Sequence, residues 1–205
     1  MEKYLSAGSS FIRRQYAPHL LMTLLFVLMS GFFISFRNLD EVQAAKVMEM
    51  YVSFGGILLL TPLFLPEQNR EIWLLEKSKA TPLWKLYLLR LLMAAVFLAA
   101  VITLFLLKMQ QGGSRFEWGE LWLGSYSEIL FLGGIGFFVS GITNQVVLGY
   151  MVSVIYFVAN IGAAKHLGKF ALFQMMGGNY DFVPVMLTAA AVLAASGILL
   201  REQSL

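Results

Sequence analysis

The chain has 205 residues, of which 59% are hydrophobic and only 13% are charged, and its mean hydropathy is +0.73. Because a soluble domain carries about 25% charged residues, this composition excludes an ordinary soluble domain and indicates a membrane protein. The absence of cysteine excludes disulfides, thiolate metal sites and thiol redox chemistry.

Residues 1–18 mix aromatic and aliphatic side chains with basic ones. This pattern predicts an N-terminal interfacial helix, with a disordered tail as the alternative. The apolar run over 20–36 is longer than the 7–15 residues of a typical signal-peptide core, and no small-residue cleavage site follows it. We therefore interpret this run as a retained first span.

Five long windows of the sequence contain no Asp, Glu, Lys or Arg. Four of them are 17 to 22 residues long, about one membrane span each, since an α-helix rises 1.5 Å per residue and the hydrocarbon core is about 30 Å thick. The fifth, residues 129–164, would form a straight helix about 54 Å long, so we expect it to fold back at the polar residues 141–145. The sequence thus predicts an all-α membrane protein with six transmembrane helices, at 20–36, 50–65, 88–107, 127–141, 146–161 and 182–200.

The connection between the second and third predicted spans, residues 66–81, is the longest on its side of the membrane. Pro66 and two glutamates in the first turn favour a helix start, and two lysines suit the C-terminal end of that helix. Thr81-Pro82 then ends the helix and can cap the next one. We expect a short amphipathic helix lying crosswise beneath the membrane, with contact side chains Ile72, Trp73 and Leu75.

The basic residues predict the orientation. Nine of the fifteen lie on the side that holds both termini and the 66–81 connection, against six on the other side. Under the positive-inside rule this bias places both termini in the cytoplasm of a multi-pass protein of the cell membrane. It is a sign of topology rather than of nucleic-acid binding.

No charged residue lies in the middle of a predicted span. The nearest ones, Glu49, Arg90, Glu128 and Asp181, fall at predicted span edges, where we expect them to snorkel to the interface. Intramembrane ionisable residues mark ion-coupled carriers, so their absence argues against a self-powered secondary transporter. It also argues against an intramembrane aspartyl protease, which needs carboxylates inside its spans.

Other catalytic and metal-binding patterns are missing. The one Gly-Lys pair, Gly168-Lys169, lacks the P-loop pattern and lies on the outer side, so we expect no ATP or other cofactor to bind this chain. His19 and His166 stand alone, so we predict neither a metal site nor catalytic residues. The glycines and Ser153 along the fourth and fifth spans indicate close helix packing, with the lining of a substrate path as the alternative.

The order of these segments resembles the permease subunits of ABC-2 type transporters. The helix over 66–81, opened by an acidic residue and closed by Lys79-Ala80-Thr81-Pro82, resembles the coupling helix of that family. The interfacial helix, the six spans with both ends inside, and the semi-apolar segment 162–181, similar to the family's re-entrant outer helices, extend the resemblance over the whole chain. The resemblance implies an exporter whose coupling helix docks on a separate ATPase subunit, which holds ATP and Mg²⁺.

The resemblance also implies a second permease subunit, identical or homologous, surrounded by membrane lipid. The residues expected to couple to the ATPase are Glu67, Arg70, Glu71, Ile72, Trp73, Leu75, Glu76, Thr81 and Pro82. Those expected along the substrate path are Met22, Met29, Phe33, Phe54, Tyr150, Tyr156 and Asn160. A path rich in Met and Phe suits amphiphiles such as peptides or lipids.

Two other classes of function are alternatives to the exporter. One is a membrane scaffold or sensor that binds a cytoplasmic protein through the 66–81 helix without transporting anything. The other is a membrane-embedded enzyme that processes lipid or protein. ATP turnover in a purified complex separates the first from the exporter, and activity of the isolated subunit separates the second.

Overall fold

A computed structural model of the chain describes residues 17–33, 36–77 and 82–203. These residues form helices and connecting loops, with no strand among them. All but the last two residues of the predicted interfacial helix, 1–18, lie outside the described residues. The helices are α1 (Ala17–Phe33), α2 (Glu41–Gln68), α3 (Arg70–Lys77), α4 (Leu83–Gln111), α5 (Trp118–Thr143), α6 (Val146–Leu167) and α7 (Val183–Gln203).

Four of these helices, α2, α4, α5 and α7, are long and apolar enough to cross a membrane. Two others contain shorter apolar stretches, Ala17–Phe26 in α1 and Val146–Gly162 in α6. The structure is therefore all-helical over the described residues, and its apolar helices are those of a multi-pass membrane protein.

Helix α2 changes its winding twice. A π-helical turn, Met48–Val52, interrupts the α-helical hydrogen bonds, and the Ser53 hydroxyl donates to the carbonyl oxygens of Met48, at 3.2 Å, and of Glu49. Single π-helical turns inside longer helices frequently occur at functional sites. The last residues of α2 tighten into the 3₁₀ turns Thr61–Phe64 and Pro66–Gln68.

Helix α5 occupies the centre of the bundle and packs against α2, α4, α6 and α7. Glycines allow this close approach. A Cβ added to Gly56 would overlap the Ile129 carbonyl oxygen, and one added to Gly149 would lie 2.5 Å from that of Gly136. The predicted packing role of the small residues in the fourth and fifth spans is thereby confirmed.

Loops gather at the two ends of the bundle. At the first, which we call the Ser114 end, the Ser114 hydroxyl accepts from Leu39 N at 3.1 Å and donates to the Phe36 carbonyl oxygen at 3.3 Å. At the second, the Arg201 end, α5 stops at Thr143 and Asn144 adopts a left-handed conformation, with φ 56°. Helix α6 begins at Val146, two residues after Asn144, which confirms the predicted fold-back at 141–145.

The predicted outer segment, 162–181, has a different structure. Residues 162–167 continue α6. The stretch from there to α7, which we call the 168–182 segment, contains two short 3₁₀ turns, Gly168–Phe170 and Met175–Gly177. Apart from these turns the segment is not helical, which differs from the re-entrant outer helices that the resemblance implies. The reason is that Asn160 Oδ1 accepts from Leu172 N at 2.8 Å and holds an extended backbone against α6.

Candidate functional site

The short helix between α2 and α4 begins later than the sequence predicts. Pro66–Gln68 continues α2, and Asn69 then leaves the helical conformation, with ψ 117°. The Asn69 side-chain oxygen accepts from Glu71 N at 2.9 Å, which favours a new start at Arg70. The prediction that Pro66 opens the coupling helix is therefore wrong, because Pro66 belongs to the last turn of α2.

Helix α3 is amphipathic. Glu71 and Leu74 are exposed, whereas Ile72 and Trp73 are half-buried. Pro82 is exposed directly before α4. For Arg70, Leu75 and Glu76 the structure describes the backbone alone, and Thr81 lies outside the described residues.

Glu67, expected among the coupling residues, lies inside the bundle with 2% of its surface exposed. Its Oε1 is 2.5 Å from Arg90 Nη1, and the same guanidinium nitrogen donates to the Leu63 carbonyl oxygen at 3.3 Å. Arg90 is equally buried, so the expectation that it snorkels from a span edge is wrong. A desolvated arginine needs a paired anion, and Glu67 supplies one from the adjacent helix.

Arg201, near the end of α7, completes this charged core and is fully buried. Its Nη1 donates to Asn144 Oδ1 at 2.5 Å and its Nη2 to the Glu67 carbonyl oxygen at 3.2 Å. The guanidinium also lies over the Phe64 ring, 5.7 Å from its centroid. We call these side chains the Arg201 cluster: Glu67, Arg90, Asn144 and Arg201.

The Arg201 cluster joins α2, α4, α7 and the turn between α5 and α6. It holds two positive charges and one negative charge, and hydrogen bonds to backbone carbonyls distribute the excess positive charge. Because α3 starts three residues after Glu67, the cluster fixes the position of the base of α3. A movement of α3 would therefore be transmitted to α2, α4 and α7 through the contacts of the Arg201 cluster.

The other buried charges lie toward the Ser114 end. Glu49 is in the π-helical turn of α2, with 1% of its surface exposed. Its carboxylate accepts from Met175 N at 2.6 Å and from Met176 N at 3.3 Å. Glu49 thereby connects α2 to the 168–182 segment.

Glu128 lies ten residues into α5 and is also 1% exposed. Neither of its carboxylate oxygens accepts a hydrogen bond of ordinary geometry from the described residues. The Phe173 amide is close enough to act on it electrostatically, and the charge of Glu49 acts on it as well. We call Glu49 and Glu128 the glutamate pair.

The glutamate pair contradicts the expectation that Glu49 and Glu128 snorkel from span edges. It also contradicts the expectation that no charged residue lies in the middle of a span, because both glutamates are buried and lie eight or more residues inside helices long and apolar enough to cross a membrane. Glu49 directly precedes the predicted span 50–65 and Glu128 is the second residue of the predicted span 127–141, so the sequence pattern alone indicates edge positions for both. The two exclusions based on missing carboxylates, of an ion-coupled carrier and of an intramembrane aspartyl protease, therefore lose their basis. Asp181 is exposed before α7, as expected.

Two of the predicted substrate-path residues, Phe54 and Tyr150, make contacts that join α2 to α1 and α6. The Phe54 ring lies 5.8 Å from the ring of Phe26 and 4.4 Å from that of Phe157, between centroids. Tyr150 donates to the Leu58 carbonyl oxygen at 3.4 Å, so its hydroxyl is used within the bundle. The first, second and fifth predicted spans are thus neighbours.

The remaining substrate-path residues do not form one lining. Met22 and Met29 are exposed on α1, and only the backbone of Phe33 is described. Asn160 is buried and donates to the Tyr156 carbonyl oxygen at 2.8 Å, while the Tyr156 hydroxyl donates to that of Phe170 at 2.6 Å. Asn160 and Tyr156 thus anchor the 168–182 segment.

Among the described residues, no group of three His, Asp or Glu side chains is placed to hold a metal ion. The candidate functional sites are the Arg201 cluster with the adjoining α3 and the glutamate pair. No protein-family model, curated protein or solved structure matches this chain.

Proposed function

We propose that the chain is the transmembrane permease subunit of an ABC-2 type ATP-driven exporter. In this proposal α1 and α6 join the four long helices to give six spans, and the Arg201 end with both termini faces the cytoplasm. Helix α3 docks on a separate ATPase subunit, which binds ATP and Mg²⁺. A second permease subunit, identical or homologous, completes the complex.

The observation that carries the proposal is the attachment of α3 to the Arg201 cluster. A docking helix can transmit the motion of a partner only if its base is rigidly connected to the bundle. Here the connection passes through Glu67, whose side chain and carbonyl oxygen each accept from a buried arginine. The exposed Glu71 and Leu74 on the same short helix supply a charged and an apolar contact for the partner.

The path for substrate lies, in this proposal, beside the apolar faces of α1 and α6. Exposed side chains on these helices include Met22, Met29, Met151 and Ile155. ATP-driven closure of the ATPases moves α3, and the two permease subunits rock as rigid bodies to open the path outward. Amphiphilic substrates suit such a surface.

The test is the purification of the tagged protein from its native membrane in mild detergent, with identification of the proteins that co-purify. We expect a P-loop ATPase in near-equal amount, lost in the Glu71→Lys, Leu74→Asp double variant. Glu202→Lys is the matched control, because Glu202 is exposed on α7 one residue after Arg201. This control should retain the partner.

Each other outcome separates the rival functions. A partner without a P-loop, lost in the same double variant, would support the scaffold or sensor. Recovery of the chain alone, under conditions that preserve ABC complexes, would contradict the exporter. Hydrolytic activity of the isolated subunit on lipid or protein would support the membrane-embedded enzyme.

A further inference from the structure

The exporter proposal assigns no role to the glutamate pair, whose charges need an explanation. Two carboxylates of the same sign lie in the interior of an apolar bundle, and no lysine, arginine or histidine of the described residues forms an ion pair with either. Two like charges that act on each other in such a medium strongly disfavour double ionisation. A proton or a metal ion is therefore required to reduce the charge.

The surroundings favour a proton. A hard cation such as Ca²⁺ takes six to eight oxygen ligands, and the described residues supply no third acidic side chain. The Glu49 carboxylate is occupied by the two amides of Met175 and Met176, whose N–H groups point at it and oppose a cation. Glu128 accepts no hydrogen bond of ordinary geometry from the described residues, so its charge is the less well compensated of the two and its carboxyl group is the one that is more stable when neutral.

We propose that Glu49 and Glu128 form a proton-binding site inside the membrane, which holds one proton, mainly on Glu128, and keeps Glu49 ionised. The ionised Glu49 carboxylate then binds the amides of Met175 and Met176 and holds the 168–182 segment on the bundle. Loss of the proton places a second negative charge beside Glu49 and weakens the hold on the segment. The π-helical turn at Glu49 allows α2 to change its winding when this occurs.

The neighbouring titratable groups do not replace this proton. Tyr156 of α6 faces Glu128, and Tyr180 of the 168–182 segment faces Glu49, Glu41 of α2 and Glu120 of α5. Burial, followed by these three carboxylates, raises the pKa of Tyr180 to about 12, so it stays neutral over the neutral range. Among the described residues, the charged groups that act on Glu128 and on Tyr180 are carboxylates, and their negative charge favours retention of the proton.

The direct test is infrared difference spectroscopy of the purified protein in lipid nanodiscs, between neutral and alkaline pH. A protonated carboxyl group has a carbonyl stretch separate from that of a carboxylate, and this band shifts in deuterated water. We expect the band in the wild type and in Glu120→Gln, an exposed matched control on the same helix. We expect it to be lost in Glu128→Gln and retained in Glu49→Gln, where Glu128 stands alone.

A second measurement reads the position of the 168–182 segment. Because the chain has no cysteine, a single thiol can be introduced by Met175→Cys, at a buried position, or by Gly177→Cys, where there is open space, and labelled specifically with a maleimide. The ratio of the labelling rate at position 175 to that at position 177 removes the pH dependence of the thiol itself. We expect this ratio to rise about tenfold per pH unit as the pair loses its proton, and to be independent of pH in Glu128→Gln.

Absence of the carboxyl band in the wild type, or its persistence in Glu128→Gln, overturns the proposal. A labelling ratio that does not change while the band titrates overturns the control of the segment. Absence of the band in the wild type overturns the proposal even if a variant fails to fold, and the labelling ratio in the wild type tests it independently of the Glu128→Gln variant. No ATPase is present in either measurement, so these results are independent of the exporter proposal.

Discussion

The two ends of the bundle bury charge in opposite ways. In the Arg201 cluster Arg90 forms an ion pair with the Glu67 carboxylate, and the two arginines also donate to the carbonyl oxygens of Leu63 and Glu67. The glutamate pair places two carboxyl groups in the interior, and among the described residues only backbone amides donate to the Glu49 carboxylate. The first arrangement has fixed charges, because an arginine stays protonated at any physiological pH. The second depends on how many protons it holds. The contacts of the Arg201 cluster are therefore independent of pH over the neutral range, whereas those of the glutamate pair change with pH.

The largest effect on stability should follow from removing one partner of the ion pair in the Arg201 cluster. Arg90→Ala removes the ion-pair partner of the buried Glu67 carboxylate, and we expect a loss of about 3–5 kcal/mol in the free energy of unfolding. Thermal unfolding in detergent measures it. The double variant Glu67→Gln, Arg90→Met removes both charges and should recover most of that loss. A double variant as unstable as the single one would show that packing, rather than charge pairing, holds this end.

At the opposite end, removal of Glu49 should have a smaller effect. Glu49→Ala leaves the amides of Met175 and Met176 without an acceptor, which destabilises the fold. We expect a net loss of about 2 kcal/mol by thermal unfolding, smaller than that of Arg90→Ala, because each amide without an acceptor can still move toward other polar groups at the edge of the segment. A loss equal to that of Arg90→Ala would mean that the glutamate pair is no weaker than the Arg201 cluster, and the comparison would fail.

The uncharged hydrogen bond between Asn160 and the 168–182 segment should contribute still less to the free energy of unfolding. Asn160→Leu removes the acceptor of Leu172 N, and a leucine at that position fills a similar volume. We expect a loss of about 1 kcal/mol. In the Met175→Cys background, maleimide labelling should become faster at all pH values, with an unchanged dependence on pH. A changed pH dependence would show that Asn160 belongs to the proton site.

The sequence predicts the local features of the molecule better than its buried charged contacts. The fold-back near Asn144, the short amphipathic helix after α2 and the packing of small residues are all local patterns, and they appear in the structure. The Arg201 cluster joins residues more than 130 positions apart, as in the bond from Arg201 to the Glu67 carbonyl oxygen, and no pattern in one segment encodes such a contact. The glutamate pair was hidden for a different reason. A charge next to an apolar window is interpreted as an edge residue, and only the partner helices show that it is buried.

The smallest effect should come from two glutamines that mark the rims of the two ends. Gln68 donates to the Asn144 carbonyl oxygen at 3.1 Å, and Gln174 donates to that of Ala171 at 2.7 Å. Each alanine variant should change the free energy of unfolding by less than about 1 kcal/mol, because water replaces a hydrogen bond at the rim. If charge in the interior is what distinguishes the two ends, these two matched variants should be equally mild by thermal unfolding. A large effect of Gln68→Ala alone would instead assign the rigidity of the Arg201 end to its rim, and the base of α3 would then be held by surface contacts rather than by the buried arginines.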